Sequence, residues 1–548
     1  MLKGCTAWPT EFAARYREQG YWKDRTLWQM LEATIALHGD REALALGDRR
    51  ISYGTLGESI GRLSCALAES GLQPTDRVVV QLPNLPEFVT TFFALVRIGV
   101  IPVMALPPHR HTEIKHFIGH AGATGYFIPD TYRRFDYRDM ASEVAAGSNT
   151  LSHVFVAGTP GEGQTALGPM IERAAKPGDD ELLAGLAPDP GEVALMLLSG
   201  GTTALPKLIP RTHNDYVYNA KMAGAAAGYS ADTVFLASLP MAHNYTLACP
   251  GILAAFTNGA RVVISPGVDA NTVFPLIEKE KVTLVSAAVP LITNWLNSAV
   301  PEGHDLSSLK VVQNGGARLA PALRRQVEER FGCICQEDFG TAEGLINLVR
   351  LDASDEIRFN SSGTPISPGD ELRVVDENGN DVSDDTPGEL LVRGPYTIRG
   401  YYNAPKINEQ AFTEDGFYHM GDVVRRRDGY LYVEGRMKDL INRGGEKISC
   451  DEVEGYILAH PDVKGACLVA MPDEVYGERA CAFVIPKADR TVTFEGLISF
   501  LADERIAKFK FPERLEIVDE FPISPAGKIL RRTLRERIAD TIGNETGK

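Results

Sequence analysis

Strand-like apolar runs alternate with helical segments through the first half of the chain, and this alternation limits the folds open to it. Apolar residues recur at helical spacing over 53–71 and 86–99. The intervening apolar runs predict strands at 76–82, 100–106, 123–128, 154–157, 233–238, 261–264, 282–287 and 310–313. Strands separated by helices favour an α/β fold with doubly wound, mostly parallel sheets.

The pattern changes near residue 365. Short alternating strands at 371–376, 388–393 and 429–434 are joined by turn residues, which predicts a small antiparallel or barrel-like β subdomain. Beyond them the sequence predicts a compact α+β unit with helices at 449–459 and 493–504. We therefore predict an N-terminal domain over 1–434, a hinge over 435–440 and a small mobile C-terminal domain over 441–548.

Length and charge exclude several classes of protein. The 548 residues exceed what one hydrophobic core usually supports. A net charge of −16 argues against nucleic acid or an anionic membrane as the main partner. No apolar run has the ~18 residues of a membrane span, and the N-terminus lacks the apolar core of a signal peptide. The eight cysteines show no metal-binding spacing, so we expect reduced thiols and a cytoplasmic protein.

A loop rich in glycine and hydroxyl groups follows the apolar run at 193–198. The residues in it that suit a polyanion are Ser199, Gly200, Gly201, Thr202, Thr203 and Lys207. Small residues let backbone N–H groups approach phosphate oxygens closely, and the lysine adds a positive charge. The Walker pattern is absent. The loop therefore predicts a phosphate-binding site of another kind, with a flexible surface loop as the alternative.

Further motifs follow the loop in a fixed order. They are Ala242-His-Asn-Tyr, Gln313-Asn-Gly-Gly-Ala-Arg, Asp338-Phe-Gly-Thr-Ala-Glu-Gly, Tyr418-His-Met-Gly-Asp, Gly435-Arg-Met-Lys-Asp, Asn442-Arg-Gly-Gly-Glu-Lys and Pro525-Ala-Gly-Lys. From about Thr26 to Arg535 this series resembles the acyl-adenylate-forming ligases. Within them it most resembles the aryl-acid AMP ligases that start siderophore assembly from 2,3-dihydroxybenzoate or salicylate.

The resemblance implies a two-step reaction that uses ATP and Mg²⁺. An aryl carboxylate attacks the α-phosphate, and the aryl group then passes to the phosphopantetheine thiol of an aryl carrier protein. An aryl-coenzyme A ligase would share most of these residues and remains the alternative. A non-enzymatic nucleotide sensor is supported only by Ala204, where the family usually has glycine, and by an altered aryl pocket. We expect a monomer or a homodimer.

The resemblance assigns the nucleotide residues one by one. Lys528, after Ala526 and Gly527, is the expected catalytic cation; a solvated tail lysine is the alternative. Lys207 is expected to hold the β- and γ-phosphates, and Ser524 replaces the usual threonine. Glu343 is the expected Mg²⁺ ligand, with a glutamate at a helix start as the alternative. The other residues expected around the nucleotide are Gly315, Gly316, Ala317, Asp338, Phe339, Gly340, Thr341, Asp422 and Arg436, with Lys438 and Asp439 at the hinge.

The aryl pocket is expected to contain His243, Asn244, Cys249, Asn314 and Asp338. The resemblance implies that Asn244 binds the ortho substituent and that His243 shapes the carboxylate entrance. The same resemblance implies that cysteine at 249 favours salicylate over 2,3-dihydroxybenzoate. The family usually has valine at 314 and 338, and a buried carboxylate needs a donor or a cation. An aminated substrate such as 3-hydroxyanthranilate is therefore possible; the alternative is that Asp338 faces the nucleotide or a neighbouring side chain.

Overall fold

The structure is a computed structural model that describes residues 1–199, 206–444, 446–504, 506–524 and 528–546. The expected phosphate-loop residues Gly200, Gly201, Thr202 and Thr203 lie outside these ranges, together with Ala204, Gly445, Ala526 and Gly527. The side chain of Lys438 is also outside the description.

The larger of two main sheets has nine strands. Its six central strands are parallel, and antiparallel strands pair at both edges. In spatial order the strands are Thr364–Pro365, Gly344–Leu348, Ile334–Thr341, Val311–Gly315, Leu284–Ala287, Val234–Ala237, Arg261–Ile264, Glu42–Leu46 and Arg49–Ser52. Most residues of the central strands are buried, as expected for strands covered on both faces.

The second sheet has seven strands and is parallel except for one edge strand. In spatial order the strands are Leu208–Thr212, Val193–Leu198, Ile101–Met104, Arg77–Val80, Gly125–Pro129, His153–Ala157 and Thr165–Ala166. A small hairpin joins Thr131–Tyr132 to Phe135–Asp136. The expected doubly wound α/β fold is confirmed.

The helices of the N-terminal region cover these sheets. They are Thr10–Glu18, Leu27–His38, Tyr53–Glu69, Pro86–Arg97, His111–Ala121, Tyr137–Ala146, Leu167–Ile171, Asp179–Gly185, His213–Ala226, Asn244–Ala248, Ile252–Thr257, Ala270–Glu280, Val289–Leu296, Pro321–Phe331, Asp355–Asn360 and Pro405–Ala411, with a 3₁₀ turn at Val300–Gly303. The largest apolar core joins side chains from both sheets to the helices between them. Burial of this core is the main driving force that packs the two sheets together through the helices between them.

The antiparallel appendage is a four-stranded meander paired in chain order: Glu371–Val375, Gly388–Arg393, Tyr418–Arg427 and Tyr430–Arg436. A 3₁₀ turn at Met437–Asp439 links it to the next sheet. That sheet contains Leu440–Arg443, Glu446–Ser449, Val463–Asp473, Gly477–Pro486 and Arg514–Ile517, packed with helices Cys450–Ala459, Phe494–Asp503 and Arg531–Thr546 and a 3₁₀ turn at Lys508–Lys510. The predicted small α+β C-terminal unit is thus present, with its own apolar core.

All eight cysteines are free thiols. Among the described residues, no helix is both long enough and apolar enough to cross a membrane.

Candidate active site

A cavity of about 400 Å³ opens where the two main sheets, the meander and the C-terminal domain meet. Its walls come from all four: Met104 and Leu197 from one sheet, Asp338 from the other, Met420 from the meander and Lys528 from the C-terminal domain. Met104, Leu197 and Asp338 lie toward the carboxyl ends of parallel strands, which is where open α/β sheets bind their ligands. The volume is in the range of small-molecule sites.

Ser199 and Lys207 close the neck of the glycine- and hydroxyl-rich loop. The Ser199 N–H donates to the Lys207 carbonyl at 3.0 Å, and the Lys207 N–H donates to the Ser199 hydroxyl at 2.9 Å. These bonds continue the antiparallel pairing of Val193–Leu198 with Leu208–Thr212. The described ends of the loop are therefore fixed at the cavity, where Ser199 and Pro206 line the wall.

Lys528 reaches this cavity from the C-terminal domain. Its Cε would lie 3.5 Å from a Cβ added at Gly316 on the N-terminal domain. The Lys528 N–H donates to the Ser524 hydroxyl at 3.1 Å, and the Ser524 N–H donates back to the Lys528 carbonyl at 2.7 Å. Serine, which replaces the usual threonine, thus keeps the hydroxyl that accepts the hydrogen bond from the Lys528 backbone N–H.

Glu343 occupies a tight turn between two antiparallel strands of the large sheet, not the start of a helix. The turn requires Gly344, whose φ is +148° and whose Cβ would lie 2.4 Å from Thr397 Cα. The Tyr401 hydroxyl donates to Glu343 Oε1 at 2.7 Å and lies 3.1 Å from the Tyr418 hydroxyl. The Lys207 ammonium lies 3.9 Å from the centroid of the Tyr401 ring.

Tyr401 therefore links two groups that the sequence assigns to the phosphate end of the site. Its hydroxyl orients the Glu343 carboxylate, and its ring face holds the Lys207 cation. Glu343 lines the cavity and is buried, so the lone pairs not used by Tyr401 are available to a hard cation.

Asp422 and Arg436 form an ion pair at the domain boundary, with 3.3 Å between Asp422 Oδ1 and Arg436 Nε. Burial raises the pKa of Asp422, while the Arg436 charge acts in the opposite direction. Asp422 Oδ2 is buried without a partner among the described residues. This oxygen can accept hydrogen bonds from a bound ligand.

Gly315 and Gly316 have different surroundings. A Cβ at Gly315 would lie 2.6 Å from Tyr245 Cζ, so the Tyr245 ring packs directly on the backbone there. Gly316 has a φ of +85° and lines the cavity. Gly340 and Thr341 line it as well, whereas Gly315, Ala317, Phe339 and Asp422 lie outside the lining of the described cavity.

His243 caps the short helix Asn244–Ala248, and its Nδ1 accepts the Tyr245 N–H at 3.2 Å. The neutral ring therefore carries its hydrogen on Nε2. Burial, together with the nearby Lys528 charge, lowers the pKa of His243 to about 4. At neutral pH the side chain is an uncharged donor on the cavity wall.

Asn244, Cys249 and Tyr216 form a buried hydrogen-bonded chain. The Tyr216 hydroxyl donates to Asn244 Oδ1 at 2.7 Å, and Asn244 Nδ2 donates to Cys249 Sγ at 3.0 Å. One Nδ2 hydrogen remains for a ligand, because an amide nitrogen has two. Burial raises the pKa of the Cys249 thiol, which keeps it neutral.

Asn314 does not line the cavity, which corrects its assignment to the aryl pocket. It pairs in register with Glu337 of the adjacent strand, and its Nδ2 donates to Glu337 Oε2 at 2.9 Å and to the Ala317 carbonyl at 2.8 Å. Because side chains alternate along a strand, Glu337 and Asp338 point to opposite faces of the sheet. Asp338 lines the cavity; Asn314 lies on the Glu337 face.

Several lining residues were missed from the sequence. They are Met104, Leu106, His109, Glu113, Ile346, Tyr418 and Met420. Tyr418 and Met420 belong to the recognised motif Tyr418-His-Met-Gly-Asp, so the sequence did contain a signal that could have identified them. The others come from strands, from the segment after the strand Ile101–Met104 and from a helix start, none of which carries a distinctive pattern.

No group of three or more acidic, histidine or cysteine side chains in the described ranges could by itself hold a metal ion. A cation here would need ligand oxygens as well as Glu343.

Comparison with known proteins assigns the family. The model of the AMP-binding enzyme family matches residues 31–402, and that of the AMP-binding enzyme C-terminal domain matches 452–528. The chain belongs to the AMP-binding enzyme family. Both matches include residues of the cavity described above, among them Glu343 and Lys528.

Relatives in this family match over nearly the whole chain. A 2,3-dihydroxybenzoate-AMP ligase of Bacillus subtilis is 46% identical, with 99% of each chain covered. A salicylyl-CoA synthase / salicylate adenylyltransferase of a Streptomyces species is 43% identical, with 97% of each covered. The apo structure of Mycobacterium smegmatis MbtA is 39% identical with a TM-score of 0.75, covering 97% of this chain and 99% of the other.

Proposed function

We propose that this enzyme activates an ortho-substituted aryl carboxylic acid with ATP, releases pyrophosphate and transfers the aryl group to a thiol. The single observation that carries the proposal is the shared cavity. In it Lys528 of the C-terminal domain reaches the wall that holds His243 and Asn244. An anion-stabilising cation and an aryl-sized pocket with hydrogen-bond donors are thereby next to each other.

The chemistry requires positive charge more than an activated nucleophile. A carboxylate oxygen attacks the α-phosphorus, the bond from that phosphorus to the pyrophosphate oxygen breaks, and pyrophosphate leaves. Two anions must approach, and negative charge gathers on the phosphoryl oxygens. Lys528 is assigned to neutralise this charge, since fixed cations in a cavity that excludes water stabilise such transition states strongly. Lys207 is assigned to the β- and γ-phosphates.

Glu343 is the residue that would hold Mg²⁺. Its buried carboxylate fits this cation, which prefers a few carboxylate oxygens together with substrate phosphates and water. Bound there, Mg²⁺ would neutralise phosphate charge. Tyr401 donates to the carboxylate, and we assign Asp422, whose Oδ2 is buried without a partner among the described residues, to accept from the ribose hydroxyls.

The aryl end of the cavity suits a salicylate-type ring. The neutral His243 offers an Nε2–H to the substrate carboxylate without adding charge. The remaining Asn244 Nδ2 hydrogen suits an acceptor at the ortho position. Cys249 beside it is a small, nearly apolar wall.

In the second step, the thiol sulfur attacks the acyl carbon and the carbon–oxygen bond to AMP breaks. We assign the thiol to the phosphopantetheine arm of an aryl carrier protein, in siderophore or other nonribosomal peptide synthesis within the cytoplasm. Coenzyme A is the second candidate acceptor, because the Streptomyces relative carries both activities in its name. Comparing thioester yield with the two acceptors separates these possibilities.

Lys528→Ala should lower ATP–pyrophosphate exchange at least a hundredfold. The expected loss corresponds to roughly 3 kcal/mol of transition-state stabilisation, because the cation is needed while the two anions react. Aryl transfer from a supplied aryl-adenylate to the thiol should change little.

The matched control is Lys508→Ala, which removes an exposed lysine from the same domain. It should leave exchange unchanged. Exchange by Lys528→Ala within threefold of wild type would remove Lys528 from the catalytic role.

Tyr401→Phe should raise the Mg²⁺ concentration needed for half-maximal exchange about tenfold. The variant loses the hydroxyl that orients Glu343 but keeps the ring against Lys207, and losing such a supporting bond typically costs 10–100-fold in metal affinity. Tyr401→Leu should also raise KM for ATP, because the ring is lost. Mg²⁺ titrations and ATP saturation curves measure the two effects.

The control for the two Tyr401 variants is Tyr402→Phe, since the neighbouring Tyr402 ring packs against His120 in a different apolar cluster. An unchanged Mg²⁺ requirement in Tyr401→Phe would show that Tyr401 does not support Glu343.

Lys438→Pro should impair thioester formation more than exchange. We place the hinge in the 3₁₀ turn Met437–Asp439, because it separates the meander from the C-terminal sheet. Two hydrogen bonds hold the turn in this arrangement. Arg535 Nη2 donates to Asp439 Oδ1 at 3.2 Å, and the Cys450 thiol donates to the Asp439 carbonyl at 2.8 Å. Proline restricts φ and so hinders reorientation between the half-reactions.

Lys438→Ala, which removes the same side chain without restricting the backbone, is the control. Equal losses in both half-reactions for the proline variant, or none in either, would place the hinge elsewhere.

A further inference from the structure

Asp338 carries the one acidic side chain at the aryl end of the cavity, among the described residues, that has no hydrogen-bond partner there. It lies on strand Ile334–Thr341 and lines the cavity with a residue exposure of 7%. Of the polar groups nearby, Asn244 bonds Tyr216 and Cys249, whereas the Tyr245 hydroxyl is also buried without a hydrogen-bond partner among the described residues. A buried polar group without a partner is costly, so an unpaired one in a ligand cavity points to a ligand group.

The Arg324 guanidinium, carried by the helix Pro321–Phe331, is paired on the opposite face of the sheet. Arg324 Nη2 lies 3.1 Å from Glu337 Oε1, and both side chains are fully buried. Glu337 also accepts from Asn314, so the three groups form one polar cluster behind the strand. Alternation along the strand leaves Asp338 alone on the cavity side.

Burial and the Glu337 charge both raise the pKa of Asp338 well above its usual range. Burial therefore favours the neutral carboxyl group over the carboxylate. Such a group has one O–H donor and a carbonyl acceptor, and it is matched by a substituent that can both donate and accept. An aromatic C–H can do neither.

Building on the proposed aryl-acid activation, we propose that Asp338 selects a substrate ring with a second polar substituent. In this assignment the ortho substituent meets Asn244, and the second one, an amino or hydroxyl group, pairs with the Asp338 carboxyl group. The substrate class is then the amino-hydroxybenzoates and dihydroxybenzoates, with 3-hydroxyanthranilate and 2,3-dihydroxybenzoate as representatives. Plain salicylate, which Cys249 alone would favour, leaves Asp338 unpaired.

The test compares kcat/KM in ATP–pyrophosphate exchange for salicylate, 2,3-dihydroxybenzoate and 3-hydroxyanthranilate. The wild-type enzyme should prefer at least one of the two substituted rings over salicylate by about tenfold to hundredfold. Which of them is preferred identifies the second substituent as hydroxyl or amino. Asp338→Val should shift the ratio back toward salicylate by a similar factor.

Two further variants separate recognition of the substrate ring by Asp338 from general damage to the site. Asp338→Asn keeps a neutral donor and acceptor, so it should retain most of the preference of the wild type. Asn314→Val changes the neighbouring strand on the opposite face and should leave the ratio among the three acids unchanged.

A ratio that is the same in wild type and Asp338→Val would overturn the role of Asp338 while leaving aryl-acid activation intact. Exchange with none of the three acids in the wild type would instead overturn the proposed function itself. Loss of the preference in Asp338→Asn, with the fold retained by circular dichroism, would contradict a neutral carboxyl group.

Discussion

The approach of the Lys528 ammonium to the cavity of the N-terminal domain is the interaction on which the rest of this structure depends. The Lys207 ammonium lies 3.9 Å from the centroid of the Tyr401 ring, whereas Lys528 is the lysine that the C-terminal domain adds to the cavity lining. Lys528 is held by reciprocal backbone and side-chain bonds with Ser524. The lysine therefore belongs to the small C-terminal domain, and we propose that the link at Met437–Asp439 controls its position.

Three acidic side chains have oxygens open to a ligand: Asp338 and Glu343 line the cavity, and Asp422 lies outside the lining, paired with the lining residue Arg436. Asp422 has one oxygen on Arg436 and another that is buried without a partner among the described residues. Asp338 also has no hydrogen-bond partner in the part of the chain that the structure describes, and one oxygen of Glu343 accepts from the Tyr401 hydroxyl. A buried acid without a partner lowers the stability of the empty site. Under the proposed assignments, a ribose hydroxyl, a ring substituent and a cation would pair with Asp422, Asp338 and Glu343, so that binding and selectivity would arise from the same groups.

Much of the fold could be predicted from the sequence. The strand Arg261–Ile264 and the starts of helices Tyr53–Glu69 and Pro86–Arg97 are as expected, because apolar runs bounded by turn residues determine them locally. The turn at Glu343 could not be predicted, since it depends on Thr397 lying against Gly344. Tyr401 was missed because its partner is 58 positions away, and Asn314 was misplaced because register with Glu337 decides which face it occupies.

The central claim is that a substrate carboxylate attacks the α-phosphorus of ATP, and isotope transfer tests it most directly. The enzyme would be given ATP, a thiol acceptor and 3-hydroxyanthranilate or salicylate with ¹⁸O in the carboxyl group, and the released nucleotide would be analysed by mass spectrometry. The account predicts AMP that carries one ¹⁸O atom, with unlabelled pyrophosphate. Unlabelled AMP, label in the pyrophosphate, or ADP as the product would contradict it.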